Sequence, residues 1–283
     1  MVELIDNSVK LKQRRSELGQ VGFVPTMGNL HAGHLSLVKE AAKKHDTVFI
    51  SIFVNPTQFG PNEDLKSYPR TLEQDLEKIS LLQRQFPDHC FIVFAPKDVN
   101  EIYPTGFSTS VMVEGLTDTL CGKSRPGHFQ GVTTVVYLLF KLIKPEVAYF
   151  GLKDYQQYLV IKKMVKDLDI PVEIVGCPIV REESGLALSS RNNYLNETQK
   201  EVALNLSRKL NELKSAFNSI TETECQIENI LTSDERWDYL EIKDSNTLLR
   251  PTSQSPNLLL AGAYYVGKTR LIDNLVFPNK SDF

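Results

Sequence analysis

Short apolar segments rich in β-branched residues alternate with segments of helical periodicity along the first 180 residues. Thr47–Val54 (TVFISIFV) is apolar throughout, as in a strand that is covered on both faces. Similar strands are predicted at Val21–Pro25, Phe91–Ala95, Val147–Phe150 and Val172–Ile179. Between them, an apolar stripe of helical spacing predicts helices at Leu35–His45, Thr71–Gln85, Gln130–Lys144 and Tyr155–Leu168. This alternation predicts the α/β class, with a Rossmann-like, doubly wound parallel sheet that binds ligands at the carboxyl ends of its strands.

The pattern changes after about residue 180. Two charged amphipathic helices and three strands are predicted there, at Glu197–Phe217, Ser219–Arg236, Trp237–Lys243, Asn257–Val266 and Arg270–Phe277. We therefore predict two domains, 1–177 with the parallel sheet and 178–283 as a smaller α+β domain. We predict that the second domain is a lid over a cleft between the domains, and that its Ser189–Arg191 loop closes over the ligand, because Gly185 and the charges of Arg181, Glu182 and Glu183 precede that loop.

Charge and composition restrict the function classes. The chain carries 32 Lys and Arg against 35 Asp and Glu, a net charge of −3, which argues against nucleic acid as a partner. The first nineteen residues are predicted to form a polar amphipathic helix and contain no apolar leader segment. The longest apolar stretch, Val132–Ile143, contains Lys141 and is shorter than the about 20 residues of a membrane span. We expect no membrane association.

Four cysteines, Cys90, Cys121, Cys177 and Cys225, lie far apart in the sequence and form no CxxC pair. This spacing favours reduced thiols over disulfides or a zinc site. Together with the N-terminus, it predicts a cytoplasmic protein.

The motif His31-Ala-Gly-His34 lies directly between the strand that ends at Pro25 and the following helix. Unpaired N–H groups at a helix N-terminus bind anions, and glycines at Gly28 and Gly33 allow close approach of the backbone. Two imidazoles three residues apart could donate hydrogen bonds to a triphosphate as charge develops on pyrophosphate. The alternatives are a metal-binding pair and helix-capping residues.

This motif resembles the HxGH signature of the nucleotidyltransferase superfamily that includes the class I aminoacyl-tRNA synthetases. Longer segments resemble the pantothenate synthetase (pantoate–β-alanine ligase) family: FVPTMGNLHAGH, FVNPTQFGPNEDLKSYPRT, SRPGHFQGVTTVV, YFGLKDYQQ, GLALSSRNNYL and RLIDN. They occur in the family's order along the chain.

The resemblance implies an ATP- and Mg²⁺-dependent ligase of cytoplasmic coenzyme A precursor biosynthesis. In that family the carboxylate of (R)-pantoate attacks the α-phosphate of ATP, giving pantoyl adenylate and pyrophosphate. The amine of β-alanine then displaces AMP, and pantothenate forms. The resemblance also implies a homodimer and assigns the nucleotide and pantoate to the domain 1–177.

Residue by residue, the resemblance implies His34 and His31 as catalytic histidines, with Lys153 and Arg191 as catalytic cations. It implies that ATP contacts Met27, Gly28, Asn29, Leu30, His31, Ala32, Gly33, His34, Gly151, Leu152, Lys153, Asp154, Val180, Leu188, Ser189, Ser190 and Arg191. Gln58 and Gln157 would bind pantoate, and Gln58 would also lie near β-alanine. Without the resemblance, Asp154 and Ser189 could equally be helix caps.

Three features are less specific. Asp75 is a candidate Mg²⁺ ligand, because Mg²⁺ needs only one or two protein carboxylates. The resemblance implies that Arg125 lies at the rim of the site; alternatively, Arg125 and His128 belong to a turn in which Arg125 forms a structural salt bridge. Gly262–Thr269 (GAYYVGKT) matches the Walker A pattern, but its apolar middle predicts strand, so that we expect a hairpin turn at Gly267-Lys268.

Two other functions stay open at this point. Another HxGH adenylyltransferase would keep AMP on its product. Alternatively, the C-terminal domain could bind a partner, or the chain could be a P-loop regulatory ATPase.

Overall fold

A computed structural model describes residues 2–61 and 63–280. The chain forms two compact units. Unit 1 comprises Met1–Val113, Arg125–Leu152 and Val160–Pro178, and unit 2 comprises Glu114–Ser124, Lys153–Leu159 and Ile179–Phe283. The functional division at residues 177 and 178 stays a prediction.

Unit 1 contains a six-stranded parallel sheet of strand order β1-β4-β3-β2-β5-β6. Its strands are β1 (Val2–Ile5), β2 (Gly22–Thr26), β3 (Thr47–Ile52), β4 (Cys90–Phe94), β5 (Val147–Gly151) and β6 (Glu173–Cys177). The central strands are almost entirely buried, which explains their continuous apolar runs. The predicted Rossmann-like parallel sheet is confirmed.

Helices connect the strands of this sheet: α1 (Ser8–Ser16), α2 (Ala32–Ala42), α3 (Leu72–Gln83), α5 (His128–Ile143) and α6 (Tyr155–Asp167). Helix α2 packs on β2, β3 and β5, while α3 packs on β1 and β4. Helices α1 and α5 pack against each other. Val24, Val38, Ile50 and Ile79 are among the fully buried residues between α2, α3 and the sheet.

The prediction for the N-terminus is wrong in its first part. Val2–Ile5 is not helical but pairs in parallel with β4 as an edge strand, from Val2 opposite Phe91 to Ile5 opposite Phe94. The helix begins only at Ser8, where the side chain of Asn7 accepts a hydrogen bond from the Lys10 N–H. The strand predicted at Val21–Pro25 is therefore the second strand along the chain and not the first.

Unit 2 contains an antiparallel sheet of β7 (Trp237–Asp244), β8 (Asn257–Val266) and β9 (Thr269–Pro278), in that order. Two long helices, α7 (Glu197–Ser215) and α8 (Ile220–Ser233), pack on it, and the short α4 (Leu120–Ser124) contacts β7. Leu206, Leu210, Leu240, Leu260 and Tyr264 are fully or nearly fully buried in its core. The predicted smaller α+β region is confirmed.

Gly267 and Lys268 form the two-residue turn between β8 and β9, with Val266 paired to Thr269. Gly267 has a φ of 59°, as hairpin turns of this length require. A P-loop joins a strand to a helix, so the Walker A match has no structural basis, and the predicted hairpin is confirmed.

Within residues 2–61 and 63–280, no helix is long and apolar enough to span a membrane.

Candidate active site

Residues Met27 to His31 form the loop between β2 and α2, which we call the HxGH loop, and Ala32, Gly33 and His34 lie in the first turn of α2. Gly28 and Asn29 both have left-handed backbones, with φ of 80° and 50°. A Cβ atom at Gly28 would lie 3.0 Å from Ile52 Cγ2 and 3.2 Å from Asp75 Oδ2, so that only glycine fits. The sequence Met-Gly-Asn-Leu thus folds back sharply before the helix begins at Ala32.

Asp75 holds this loop from α3. Its side chain is fully buried, and its Oδ2 and Oδ1 accept the N–H groups of Asn29 at 2.9 Å and Leu30 at 2.7 Å. Oδ2 also accepts the Thr71 hydroxyl at 3.1 Å. Lys78, also on α3, binds the same loop, because its ammonium donates to the Leu30 carbonyl at 2.7 Å. Two residues of α3 therefore fix the backbone that leads to His31.

Both histidines cap α2. His31 is the N-cap residue, and its Nδ1 accepts the Gly33 N–H at 3.1 Å. His34 Nδ1 accepts the His31 N–H at 3.4 Å, which completes a capping box. Because each Nδ1 is an acceptor, the neutral rings carry their proton on Nε2. The capping alternative is thus seen in the structure, and in this tautomer the N–H donor lies at the far end of each ring from the cap.

Gln58 lies beyond β3 and is buried, with 9% of its surface exposed. Its Oε1 accepts from Asn55 Nδ2 at 3.1 Å, and its Nε2 contacts Met27 Sδ at 3.1 Å. The Gln58 amide therefore has one fixed orientation, and it lies beside the HxGH loop. Gln58 is therefore not a surface amide, because the turn at Pro56–Gln58 packs on α5.

Asn55 is a residue that the sequence reasoning missed. It is 1% exposed, and its Oδ1 accepts the hydroxyls of Tyr103 at 2.8 Å and Thr57 at 2.9 Å. Its amide also donates to the Gly131 carbonyl at 3.1 Å. A Cβ atom at Gly131 would lie 2.4 Å from the Thr57 carbonyl oxygen, so glycine in α5 lets this turn approach. The Asn-Pro pair at the strand end was the available signal for a structured turn.

Arg125 and His128 bind the same turn. Arg125 forms two hydrogen bonds of 2.7 Å with the Glu63 carboxylate. Its Nη1 lies 2.9 Å from His128 Nε2, and His128 Nδ1 lies 2.9 Å from the Gln58 carbonyl oxygen. Arginine only donates and a carbonyl only accepts, so His128 is neutral here with its proton on Nδ1.

Glu63 is stabilised as a carboxylate by this arrangement. Burial alone would raise the pKa of Glu63, but hydrogen bonds and charge from Arg125, with the Gly60 N–H, lower it on balance. The structural salt bridge that was one expectation for Arg125 is therefore seen in unit 1.

Asp75 does not fit a magnesium ligand in this structure. Both of its oxygens accept N–H groups of the HxGH loop, and the carboxylate has no exposed surface. Among residues 2–61 and 63–280, no three His, Cys, Asp or Glu side chains are grouped so that they could hold a metal ion. These contacts favour a structural role for Asp75.

Lys153, Asp154 and Gln157 belong to unit 2, while Gly151 and Leu152 end the neighbouring segment of unit 1. Lys153 Nζ lies 3.8 Å from Asp154 Oδ1, and the Lys153 carbonyl accepts Asn274 Nδ2 at 2.9 Å. The two adjacent glutamines differ. Gln156 is buried and donates to the Leu116 and Thr119 carbonyls, whereas Gln157 is partly exposed.

The segment that precedes Ser189 is a small hairpin. Arg181 pairs with Ala187, and the Leu188 N–H donates to the Val180 carbonyl at 3.0 Å. Ser189 caps the following turn, Ser190–Tyr194, by accepting the Arg191 N–H at 3.3 Å. The capping alternative for Ser189 is thus seen.

Within unit 2, two predicted nucleotide ligands come together. Lys153 and Ser189 line one small cavity, together with Ala187, Asn192 and Asp273. Asn192 is buried, and its amide donates to the Ala187 carbonyl at 3.0 Å. Lys153 and Ser189, which carry an ammonium group and a hydroxyl and are 36 positions apart in the sequence, therefore line the same cavity.

A Rossmann-like parallel sheet with a loop that leads from β2 into a capped helix N-terminus is an α/β fold of the type that binds ligands at the carboxyl ends of its strands. The sequence matches the pantoate–β-alanine ligase family over residues 2–276. The chain belongs to this family and is a ligase.

Individual relatives support this assignment. The chain is 53% identical over 263 residues to a pantothenate synthetase of Moorella thermoacetica, with 90% of each chain covered. It is 48% identical over 284 residues to one of Acetivibrio thermocellus, with 98% of each covered. A crystal structure of the Thermus thermophilus pantothenate synthetase superimposes with a TM-score of 0.88 at 46% identity, covering 97% of this chain and 99% of that one.

A further solved structure carries ligands. The pantoate–β-alanine ligase of Francisella tularensis, complexed with beta-gamma ATP and β-alanine, has a TM-score of 0.75 to this chain. It is 35% identical, and 98% of each chain is covered. The family resemblance expected from the motifs is confirmed.

Proposed function

We propose that this ligase condenses (R)-pantoate with β-alanine at the expense of ATP, through a pantoyl-adenylate intermediate. A carboxylate oxygen of pantoate attacks the α-phosphorus, and the bond to the β-phosphate oxygen breaks to release pyrophosphate. The uncharged amine of β-alanine then attacks the acyl carbon. The bond from that carbon to AMP breaks, the amine proton passes to solvent, and pantothenate and AMP leave.

The observation that carries this proposal is the pair of capping histidines. Since both Nδ1 atoms accept backbone N–H groups, His31 and His34 present Nε2–H donors beyond the N-terminus of α2. Donors fixed in advance stabilise the charge that develops on departing pyrophosphate without reorganisation. We assign His34 as the principal catalytic histidine, with His31 beside it and the backbone from Met27 to Gly33 on the nucleotide.

The other assigned groups are matched to anionic substrates. Lys153 and Arg191 supply positive charge for phosphate oxygens, and Ser189 and Ser190 supply hydroxyl donors. Gly151, Leu152, Asp154, Val180 and Leu188 complete the proposed nucleotide contacts. Gln58 and Gln157 offer amides for the hydroxyl and carboxylate groups of pantoate, and Gln58 also for β-alanine.

Magnesium enters, in this proposal, as part of the substrate MgATP and is held mainly by phosphate oxygens and water. We further propose that the protein is cytoplasmic, that it is a homodimer and that its functional domains are 1–177 and 178–283. Sedimentation equilibrium tests the dimer, which requires twice the mass of one chain.

The reaction is tested with pantoate labelled with ¹⁸O in its carboxylate. An acyl adenylate transfers one labelled oxygen to AMP, and pantoate alone supports exchange of labelled pyrophosphate into ATP. Free AMP should appear in excess of enzyme only when pantoate and β-alanine are both present. Formation of ADP, or label in inorganic phosphate, would contradict the adenylate route. AMP retained on the product would favour another adenylyltransferase.

A further inference from the structure

One motif has no role in the function proposed above, namely Arg270–Asn274 (RLIDN) in β9. Asp273 and Asn274 are 3% and 5% exposed, although they are polar. Buried polar side chains in a strand require partners. Their partners are the two segments of unit 2 that carry the proposed nucleotide ligands.

Asp273 binds the hairpin that leads to Ser189. Its carboxylate accepts two hydrogen bonds from the Arg181 guanidinium, at 2.6 and 2.8 Å. The Arg181 Nη1 group also donates to the Gly185 carbonyl at 3.1 Å, at a residue with a φ of 95°. The rigid fork of one arginine thus joins β9 to both the base and the tip of the hairpin.

Asn274 binds the second segment. Its Nδ2 group donates to the Lys153 carbonyl at 2.9 Å. The Asn274 N–H meanwhile donates to Asp273 Oδ1 at 2.8 Å, which orients the carboxylate toward Arg181. Adjacent residues of one strand therefore hold the Lys153 backbone and the hairpin before Ser189 in a fixed relation.

Stability alone is a poor explanation of the Arg181–Asp273 pair. The Asp273 side chain is 1% exposed and that of Arg181 25% exposed. An ion pair with such a buried carboxylate often contributes no more to stability than apolar residues of similar size, because the charges lose hydration. What apolar residues cannot supply is the orientation given by two parallel hydrogen bonds and a third to Gly185. Orientation matters where a phosphate must be bound, since a misplacement of about 1 Å can cost about 10²-fold in rate.

We propose that Asp273 and Asn274 are positioning residues for ATP: Asp273 acts through Arg181 on the hairpin before Ser189–Arg191, and Asn274 acts through the main chain of Lys153. This inference rests on the proposed function, because it takes Lys153 and Ser189 as nucleotide ligands.

The test separates positioning from stability. Asp273→Asn leaves Arg181 without a counter-charge, so that both the melting temperature and ATP affinity should fall. The double variant Arg181→Met, Asp273→Leu removes both charges and should recover the melting temperature. It should nevertheless bind ATP about tenfold or more weakly by calorimetry, and KM for ATP should rise more than KM for pantoate. Asn274→Ala should likewise raise KM for ATP more than KM for pantoate.

The control is Glu224→Gln, which changes a similar two-bond pair with Arg250, at 2.6 and 2.8 Å, on the exposed surface of unit 2. It should leave ATP affinity unchanged. Recovery of both melting temperature and ATP affinity in the double variant would overturn the positioning role. Two further variants, Lys153→Met and Ser189→Ala, test the proposed function on which this inference rests. If neither weakens ATP binding, the assignment of Lys153 and Ser189 as nucleotide ligands is wrong.

Discussion

The imidazole rings of His31 and His34 lie with their centroids 4.0 Å apart and their planes inclined by 34°. Each ring accepts a backbone N–H through Nδ1, that of Gly33 for His31 and that of the N-cap residue His31 for His34. The cap and the proposed catalytic donor are therefore opposite ends of the same side chain. This separation allows the two roles of each histidine to be tested independently.

Substitution of His34 should divide these roles. In His34→Asn, Oδ1 can replace Nδ1 as the acceptor, but the donor at the Nε2 position is lost. We expect a fall of about 10²–10³-fold in pantoate-dependent pyrophosphate release, the usual cost of one oxyanion donor, with a nearly unchanged melting temperature. In His34→Gln the amide can donate from the Nε2 position, but the cap is lost, at about 1 kcal/mol. A wild-type rate in His34→Asn would contradict the catalytic assignment.

Asp75→Asn should weaken the hydrogen bonds that hold the HxGH loop and should leave the Mg²⁺ concentration needed for activity unchanged. An amide replaces one acceptor oxygen by a donor that faces either the Asn29 or the Leu30 N–H. Loss of a buried hydrogen bond to a charged group should lower the free energy of unfolding by about 1.5–3 kcal/mol, measured by urea denaturation. Activity should fall and should not return at high Mg²⁺ concentration. Rescue by excess Mg²⁺ would instead identify Asp75 as a metal ligand.

The Glu63–Arg125 pair should stabilise the protein in a pH-dependent way. The two side chains are 25% and 16% exposed, between exposed pairs worth about 1 kcal/mol or less and buried pairs whose disruption costs about 3–5 kcal/mol. Glu63→Gln should therefore lower the free energy of unfolding by about 2 kcal/mol at pH 7. Because the pKa of Glu63 is lower in the folded protein than its ordinary value of 4.5, this difference is complete above pH 4.5.

As pH falls through the lowered pKa of folded Glu63, the difference should disappear, because the wild-type carboxyl is then protonated as well. Urea denaturation of both proteins between pH 7 and the acid limit of folding measures it. The exposed pair Glu224–Arg250 is the matched control, and Glu224→Gln should cost less at pH 7. A constant difference across the whole pH range would show that Glu63 acts by packing alone.

The periodic parts of this fold could be predicted from the sequence. The mostly buried strands from Gly22 to Gly151 carry largely apolar runs, and the turn at Gly267-Lys268 carries its own signal. The edge strand Val2–Ile5 could not be separated from the polar helix that follows. Four residues are too few to establish a period, and the partner Phe91–Phe94 lies some 90 residues away in the sequence.

The candidate site was predictable only where the motif itself carries the chemistry. His31, His34 and Gln58 stand out in local patterns, and their substrate roles stay predictions. Three carboxylates accept hydrogen bonds from distant parts of the chain: Asp75 from the Asn29 N–H, Glu63 from Arg125 and Asp273 from Arg181. The two partners are 46, 62 and 92 positions apart, respectively. Such pairs depend on how loops approach one another, and no periodicity records that.

The four cysteines should differ in reactivity. All four are free thiols, and Cys225 is exposed while Cys121 and Cys177 are buried. Burial, followed by the charge of Glu40, raises the pKa of Cys177 to about 11. Since the thiolate is the reactive form, mass spectrometry after brief alkylation should find Cys225 modified first and Cys177 last. Early modification of Cys177 in folded protein would contradict its burial.

His128 provides a test of whether the backbone of Gln58 must be held for pantoate to bind. Its Nδ1–H donates to the Gln58 carbonyl and its Nε2 accepts from Arg125, each at 2.9 Å. In His128→Asn an amide N–H can replace the first bond, and in His128→Gln an amide oxygen can replace the second. If the bond to Gln58 matters, His128→Asn should keep the wild-type KM for pantoate, while His128→Gln should raise it about tenfold, the equivalent of about 1.4 kcal/mol.

The control for this test is a double variant. Gln58→Ala combined with His128→Gln should raise KM for pantoate no more than Gln58→Ala alone, because both changes act on one contact. Additive effects of the two substitutions, or a raised KM in His128→Asn alone, would contradict this link.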